Sequence, residues 1–282
     1  MKFTNKHNLR PAFVAALKND EYDYEENVYS TTTLIGPPRI KSLFKKHKKD
    51  IVIDVSDRVW TLLGTTTHEH AERQMPDRIE AERRYYMEID RVKISGKSDV
   101  YDMVDHTIED FKTTSKYAIR NNKWKPEWEQ QLNVLAELLE QNDQPVKALY
   151  INAIIKDFNS RDYFDDSLPN SSVISIKIPL WPKTKRLAYI KSRLKDHLEN
   201  PMRECTIEER WGSKDIYQVK KELGGRAIKN FEDRFEADEH ARNKGYIVEV
   251  KSGEDKRCLK YCDVNKFCDF YINKYGDRNG LK

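Results

Sequence analysis

The stretch Gly96–Lys112 constrains the fold of this 282-residue chain more than any other. It contains two short runs of strand-forming residues, and the Asp105-His106 dipeptide between them is typical of a turn. Side chains alternate between the faces of a strand, so Asp110 and Lys112 project together, roughly 7 Å apart. Asp99 on the first strand comes opposite that pair if the register allows. The stretch therefore predicts a hairpin with an acidic and a basic group on one face.

Two carboxylates and an amine on one sheet face can hold a divalent metal ion with a water molecule beside it. Exposed hairpins with scattered charge carry the same triplet, and 35% of this chain is charged. The alternatives differ in the residues expected nearby. A metal site requires further polar groups from neighbouring elements, and two predicted helices supply them.

The first of these helices begins near Asp54–Asp57 and runs to about residue 74. Gly64 and His68 are four residues apart and share one side of it, and the glycine leaves space for a close approach. The second helix has Pro126 in its first turn and an apolar stripe that includes Gln131. An inward-facing amide needs partners, either an active-site carboxylate or substrate backbone, or water at the core boundary.

The pattern Gly96-x-x-Asp99 followed by Asp110-Phe111-Lys112 resembles the central motif of the PD-(D/E)XK nuclease superfamily. Within that superfamily, the pattern is most similar to the RecB-like nucleases, which include bacteriophage exonucleases and CRISPR-associated relatives. Gly64-x-x-x-His68 resembles the first motif of that family, whose histidine is a metal ligand.

The third motif of the family is a glutamine followed four residues later by a tyrosine. Gln131 matches the glutamine, whereas Leu135 replaces the tyrosine. A family acid also occurs near the position of Glu82, but the match is loose, and we expect Glu82 to be a solvated strand residue.

The resemblance implies a metal-dependent deoxyribonuclease, an exonuclease in preference to an endonuclease, that acts in DNA processing or recombination. His68, Asp99, Asp110 and the backbone carbonyl of Phe111 would hold Mg²⁺ or Mn²⁺, and Lys112 would assist the attacking water. Gln131 would support the catalytic carboxylate. The implied partners are DNA and other replication or recombination proteins. The alternative is a catalytically silent protein of the same fold that binds DNA or serves as a scaffold subunit.

The predicted fold class is α/β, with a mixed central sheet flanked by helices, and the resemblance implies a restriction-endonuclease-like form of it. The nuclease core spans residues 1–200, and the first thirty residues form an N-terminal helical arm that is acidic around 20–26. Strands are expected at 80–89 and 92–103, joined by a turn near Asp90-Arg91, and again at 146–156 and 173–180. A basic helix follows at 183–198.

All four cysteines lie after this core, in a predicted C-terminal metal-binding segment at 201–282 that also has a helix at 225–243 and a strand at 246–250. Four thiolates can hold one zinc ion or one [4Fe–4S] cluster, and we favour zinc. Several RecB-like nucleases hold an iron–sulfur cluster with one cysteine before the core and three after it. In this chain no cysteine precedes the core, so the ligand separate from the trio would be Cys205, which also follows the core. The four predicted ligands are Cys205, Cys258, Cys262 and Cys268.

The composition sets limits on partners and location. The 51 basic and 47 acidic residues give a net charge of +4, which leaves room for local patches of either sign. No run approaches the roughly 18 apolar residues that span a membrane, and the first residues lack an apolar signal segment. We therefore expect a cytoplasmic protein without a membrane partner, and the family resemblance implies a bacterial or phage-infected cell.

Overall fold

The computed structural model describes residues 1–18, 25, 27–73, 75–242 and 244–276. The chain divides into two compact units, one of residues 1–41 and 49–201 and one of residues 42–48 and 202–282. The acidic part of the predicted N-terminal arm, at 19–24 and 26, lies outside the described residues. Residue 74, at the end of the helix that was predicted to begin near Asp54–Asp57, also lies outside them.

The first unit contains a mixed central sheet with helices against it, as the sequence predicts. In the described part of this unit the strands are β1 (Lys2–Thr4), β2 (Val28–Ser30), β3 (Val52–Asp54), β4 (Ile79–Ile89), β5 (Val92–Asp102), β6 (Thr107–Thr114), β7 (Ala148–Ile155) and β8 (Val173–Ile178). The strand order in the central sheet is β2–β5–β6–β7–β8, and β4 pairs with β5. A separate parallel pair joins β1 and β3.

The helices that lie within the first unit are α1 (Pro11–Lys18), α2 (Thr31–Ile35), α4 (Val59–Glu72), α5 (Pro126–Glu140) and α6 (Lys183–Glu199). The remaining helix of this part of the chain, α3 (Pro38–His47), is divided between the two units. α5 packs on the sheet because its apolar stripe is buried, with Trp128, Leu132, Leu135 and Leu139 in the core. In the described residues, no helix is both long and apolar enough to cross a membrane.

A two-residue turn fixes the register of β4 on β5. Asp90 and Arg91 have φ values of 51° and 64°, which suits the tight turns that join antiparallel strands. Ile89 therefore pairs with Val92, and the register continues to Ala81 opposite Val100 and Arg83 opposite Ser98. Between these two pairs, the same register places Glu82 opposite Asp99.

The other edge of β5 is shared by two strands. β2 pairs with Lys93–Ser95 and β6 pairs with Val100–Asp102, so no strand of the described residues pairs with 96–99 on that edge. A helix covers this gap: a Cβ atom at Gly96 would come within 2.6 Å of side-chain carbons of both Leu135 and Leu138 on α5. The glycine of the central motif is therefore required by close helix–sheet packing.

The second unit is built on a small antiparallel sheet. Its strands are β9 (Ile216–Lys220), β10 (Lys229–Phe231) and β11 (Ile247–Lys251), in the order β10–β9–β11, and α7 (Arg234–Arg242) lies against them. The helix predicted over 225–243 is therefore shorter than expected, because residues 229–231 pair with β9. Short helices α8 (Lys256–Lys260) and α9 (Asp269–Tyr275) follow.

Candidate metal centre

Three possible ligands from three elements meet at one point of the first unit. His68 Nδ1 on α4 lies 3.3 Å from Glu82 Oε1 on β4 and 3.3 Å from Asp99 Oδ2 on β5. One ligand atom from each of the three residues lies within 4.8 Å of the other two. The side chains are 28%, 14% and 12% exposed, respectively. This is a half-buried cluster of one imidazole and two carboxylates.

Glu82 joins this cluster through an unusual backbone conformation. Its φ of 52° lies in the left-handed region, which costs a non-glycine residue roughly 1–2 kcal/mol. The expectation that Glu82 is a solvated strand residue is therefore wrong. The signal that could have identified it is the hairpin register, because a two-residue turn at Asp90-Arg91 already places Glu82 opposite Asp99.

Asp110 lies at the centre of a second group of contacts. Gln131 Nε2 on α5 donates a hydrogen bond to Asp110 Oδ1 at 2.9 Å, and Lys112 Nζ lies 2.6 Å from Asp110 Oδ2. The Lys112 contact is an ion pair, and no hydrogen-bond donor of the described residues is aligned on Oδ2. The Asp110 side chain is 1% exposed. Asp110 and Lys112 thus project together, and Gln131 reaches the carboxylate.

The two groups are joined at the point where β5 and β6 separate. Their pairing ends at Val100 opposite Glu109, and beyond it the Phe111 backbone N–H donates to Asp99 Oδ2 at 2.9 Å. The N–H and C=O of a strand residue point toward the same neighbouring strand. The Phe111 carbonyl therefore faces the gap that contains Asp99. Continued by one position, the register places Asp99 opposite Asp110.

The pKa values describe a site whose charges balance each other. Hydrogen bonds to Asp99 and Glu82 raise the pKa of His68 to about 10. Burial raises the pKa of Asp110, and the positive charge of Lys112 only partly offsets this. Burial alone would lower the pKa of Lys112, but the carboxylates of Asp110 and Asp99 outweigh it and raise that pKa. The buried carboxylate of Asp110 thus depends on the ammonium group of Lys112.

The donor set fits a hard divalent cation. Carboxylate and carbonyl oxygens are the ligands preferred by Mg²⁺ and Mn²⁺, and one imidazole is compatible with Mn²⁺. A metal-bound imidazole is neutral, so a bound cation would replace the charge that the proton of His68 supplies. The side chains whose ligand atoms lie close enough to hold one ion are His68, Glu82 and Asp99. Asp110, the remaining side-chain ligand expected from the sequence, is outside this group and contacts Gln131 and Lys112.

The four cysteines lie in the second unit, close enough to influence each other. Burial, together with the nearby carboxylates and the other cysteines, raises the pKa of Cys205 to about 11 and that of Cys258 to about 12. None of the four forms a disulfide. Zn–S bonds of about 2.3 Å place tetrahedral sulfur ligands about 3.8 Å apart. Among the described residues, no three of these sulfurs lie within 4.8 Å of one another.

A buried carboxylate connects the segments that carry these cysteines. Asp255, directly before α8, is 3% exposed and accepts a hydrogen bond from Arg210 Nε at 2.9 Å. Arg210 also donates to the backbone carbonyl of Cys205. Tyr275 on α9 donates to Asp255 Oδ2 at 2.8 Å. The cysteine-bearing segments are therefore gathered by one polar network.

Comparisons with known proteins give loose structural likenesses. The chain is similar to the crystal structure of SSO0001, with 18% identity, a TM-score of 0.44, and coverage of 66% of this chain and 81% of that one. It is also similar to a phage related exonuclease from Haemophilus somnus 129PT, with 14% identity, a TM-score of 0.30, and coverage of 68% and 79%. No family model and no curated protein matches the sequence. The functional argument therefore rests on the residues of this chain.

Proposed function

We propose that this protein is a Mg²⁺- or Mn²⁺-dependent deoxyribonuclease that hydrolyses phosphodiester bonds, with exonuclease activity as its expected form. The observation that carries the proposal is the junction of the two groups of contacts. His68, Glu82 and Asp99 meet Asp110 and its partners where β5 and β6 separate. The residues of the three resembling motifs, far apart in the sequence, converge on this one place.

Each residue has a role that follows from its contacts. Gln131 fixes the orientation of the Asp110 carboxylate through the hydrogen bond to Oδ1. Lys112 keeps its ammonium beside Asp110, where it can orient a water molecule or balance charge that develops on a phosphate. When bound, the metal ion would supply Lewis acidity and lower the pKa of a water molecule. The left-handed backbone of Glu82 turns its carboxylate toward His68.

Replacement of Asp110 tests the proposal. Asp110→Asn removes one ligand charge at the centre of the site with almost no change in shape, so the fold should persist while metal-dependent cleavage falls at least about 100-fold. The measurement is digestion of end-labelled single- and double-stranded DNA with Mg²⁺, with Mn²⁺ and without metal.

Glu109→Gln is the matched control, because Glu109 precedes Asp110 on the same strand, projects to the opposite face and accepts a hydrogen bond from Asn152. We expect this variant to cleave at the wild-type rate. Wild-type cleavage by Asp110→Asn would contradict the site. DNA binding without cleavage by the wild-type protein would favour the catalytically silent alternative.

We propose in addition that the four cysteines hold one metal centre in the second unit. The centre would be one zinc ion, which the sequence pattern favours, or one [4Fe–4S] cluster, and metal analysis distinguishes the two. Cys258 and Cys262 lie in or just after α8, and Cys268 directly precedes α9. A bound centre would therefore fix these short helices to the segment of Cys205.

A further inference from the structure

An exposed tryptophan lies on the helix that carries the histidine of the metal centre. Trp60, in the first turn of α4, is 54% exposed. The ammonium group of Lys156 lies 3.3 Å from the centroid of its ring. An exposed indole beside a lysine is a recurrent combination in proteins that bind single-stranded nucleic acids.

Trp60 belongs to a stripe of α4 that leads to the metal centre. Trp60, Gly64 and His68 are spaced four residues apart, so they follow one another along one side of the helix over about 12 Å. A Cβ atom at Gly64 would meet no atom within 4 Å. The stripe is therefore open between the indole and the imidazole, with room for a ligand that extends from one to the other.

Two lysines provide positive charge along the same path. The backbone N–H of Lys156 donates a hydrogen bond to the backbone carbonyl of Thr114 at 2.9 Å, so Lys156 is positioned next to the end of β6. Lys125, directly before α5, is exposed as a residue; partial desolvation and the positive charges of Lys156 and Lys112 lower its pKa, and the carboxylate of Glu127 partly opposes this. No carboxylate of the described residues forms an ion pair with Lys125 or Lys156. This concentration of like charge favours a polyanion.

We propose that Trp60, Lys156 and Lys125 bind an unpaired stretch of DNA strand next to the metal centre, with a base stacked on the indole and the flanking phosphates on the two lysines. The proposal rests on the proposed nuclease function and specifies its substrate as a single strand or a frayed end. Bases inside a duplex have both faces covered by their neighbours, and a terminal pair leaves only one face free, so an unpaired base stacks on Trp60 more readily. The distance of about 12 Å corresponds to at most about four nucleotides from the metal centre.

The test is DNA affinity in the Asp110→Asn background with Mg²⁺, where cleavage does not interfere. Fluorescence anisotropy measures binding of a labelled 12-nucleotide single strand and of the corresponding duplex. Trp60→Ala should weaken single-strand binding about fivefold or more and change blunt duplex binding less than about twofold. Trp60→Phe should restore part of the single-strand affinity because it retains a ring. Lys156→Gln should weaken binding and reduce the slope of log affinity against log salt by about one.

Two exposed residues provide controls. Phe235, 76% exposed on α7, has no role in this subsite, and Lys195 is exposed on α6. Phe235→Ala and Lys195→Gln should leave single-strand affinity unchanged. Thermal melting of each variant verifies that it is folded.

The outcomes separate this proposal from the proposed function. If the wild-type protein cleaves DNA but Trp60→Ala binds single strands with unchanged affinity, the subsite is refuted and the nuclease function stands. Equal losses for single strand and duplex would also refute it, since stacking predicts a difference. Selective loss of single-strand binding in a protein that never cleaves would support the subsite and refute the nuclease function.

Discussion

The two candidate metal sites of this protein are built in opposite ways. The carboxylate site combines side chains of α4, β4, β5, β6 and α5, in a unit with an extensive buried core. Its three carboxylates are already balanced by three cationic groups, since His68 contacts Glu82 and Asp99, Lys97 contacts Glu82, and Lys112 contacts Asp110. The cysteine site lies in a unit whose described hydrophobic cluster has three buried residues, Val219, Ala237 and Ala241.

The packing of the first unit positions the carboxylate site, whereas a metal centre at the cysteine site would help to stabilise the fold of the second unit. The packing of a large core holds the carboxylates in place whether or not a metal ion is bound. The cysteine-bearing segments are short and their buried apolar side chains are few, among them Val264, Tyr271 and Tyr275, so a metal centre would add folding free energy. Loss of the first metal should therefore reduce activity, and loss of the second should reduce stability.

The largest expected effect is on the stability of the second unit. Cys262→Ser removes one thiolate and should release the metal centre, which is worth on the order of 10 kcal/mol in small zinc-binding peptides. The second unit should then melt at a much lower temperature. Metal analysis of protein purified without oxygen should give about one zinc, or about four irons with sulfide, per wild-type chain.

Asp110→Asn serves as the control, since its site lies in the first unit, and it should retain the full metal content of the cysteines. Two results together would remove the contrast between the sites. They are the absence of both zinc and iron, and ready titration of all four thiols in the folded protein.

The next effect is on catalysis in the first unit. Lys112→Ala should slow the chemical step by about 10²- to 10⁴-fold while metal binding persists, because the amine acts on water and phosphate and is not a ligand. Single-turnover cleavage and titration calorimetry measure the two properties separately. Lys177→Ala, at an exposed strand position, should alter neither. Loss of metal affinity with unchanged cleavage would show that the role of Lys112 is wrong.

The smallest effect compares the two glycines of the carboxylate site. Gly96→Ala should destabilise the first unit by about 1–3 kcal/mol, because the added methyl group would overlap Leu135 and Leu138. Gly64→Ala should stabilise it by up to about 1 kcal/mol, because the position is helical and open. Urea unfolding measures both changes. Equal effects would mean that core packing does not support the site in the way described.

Much of the first unit is predictable from local patterns. The strands β4 to β6, the turn before β5 and the start of α5 at Pro126 all follow from propensity and periodicity, which depend on nearby residues. The helix expected over 225–243 is confirmed only in its second half, as α7, and the same reasoning failed over its first half. Residues 229–231 form β10 because β9 supplies hydrogen-bond partners from elsewhere in the chain. The residues around 229–231 do not by themselves indicate that β9 is their partner strand.

The replacement of the family tyrosine by Leu135 shows how the two levels combine. The motif comparison identifies Gln131 and leaves the leucine without a role. The structure gives it one, since Leu135 packs over Gly96, where no side chain larger than hydrogen fits. Leu135 thus packs directly against the glycine of the central motif.

The sequence by itself determined which residue types could bind a metal and which elements carry them, because these are local properties of composition and periodicity. The turn at Asp90-Arg91 already sets Glu82 opposite Asp99, but only the tertiary structure decided that both meet His68. The position of the Glu82 side chain also depends on a left-handed backbone conformation, which the surrounding sheet and helix must stabilise together.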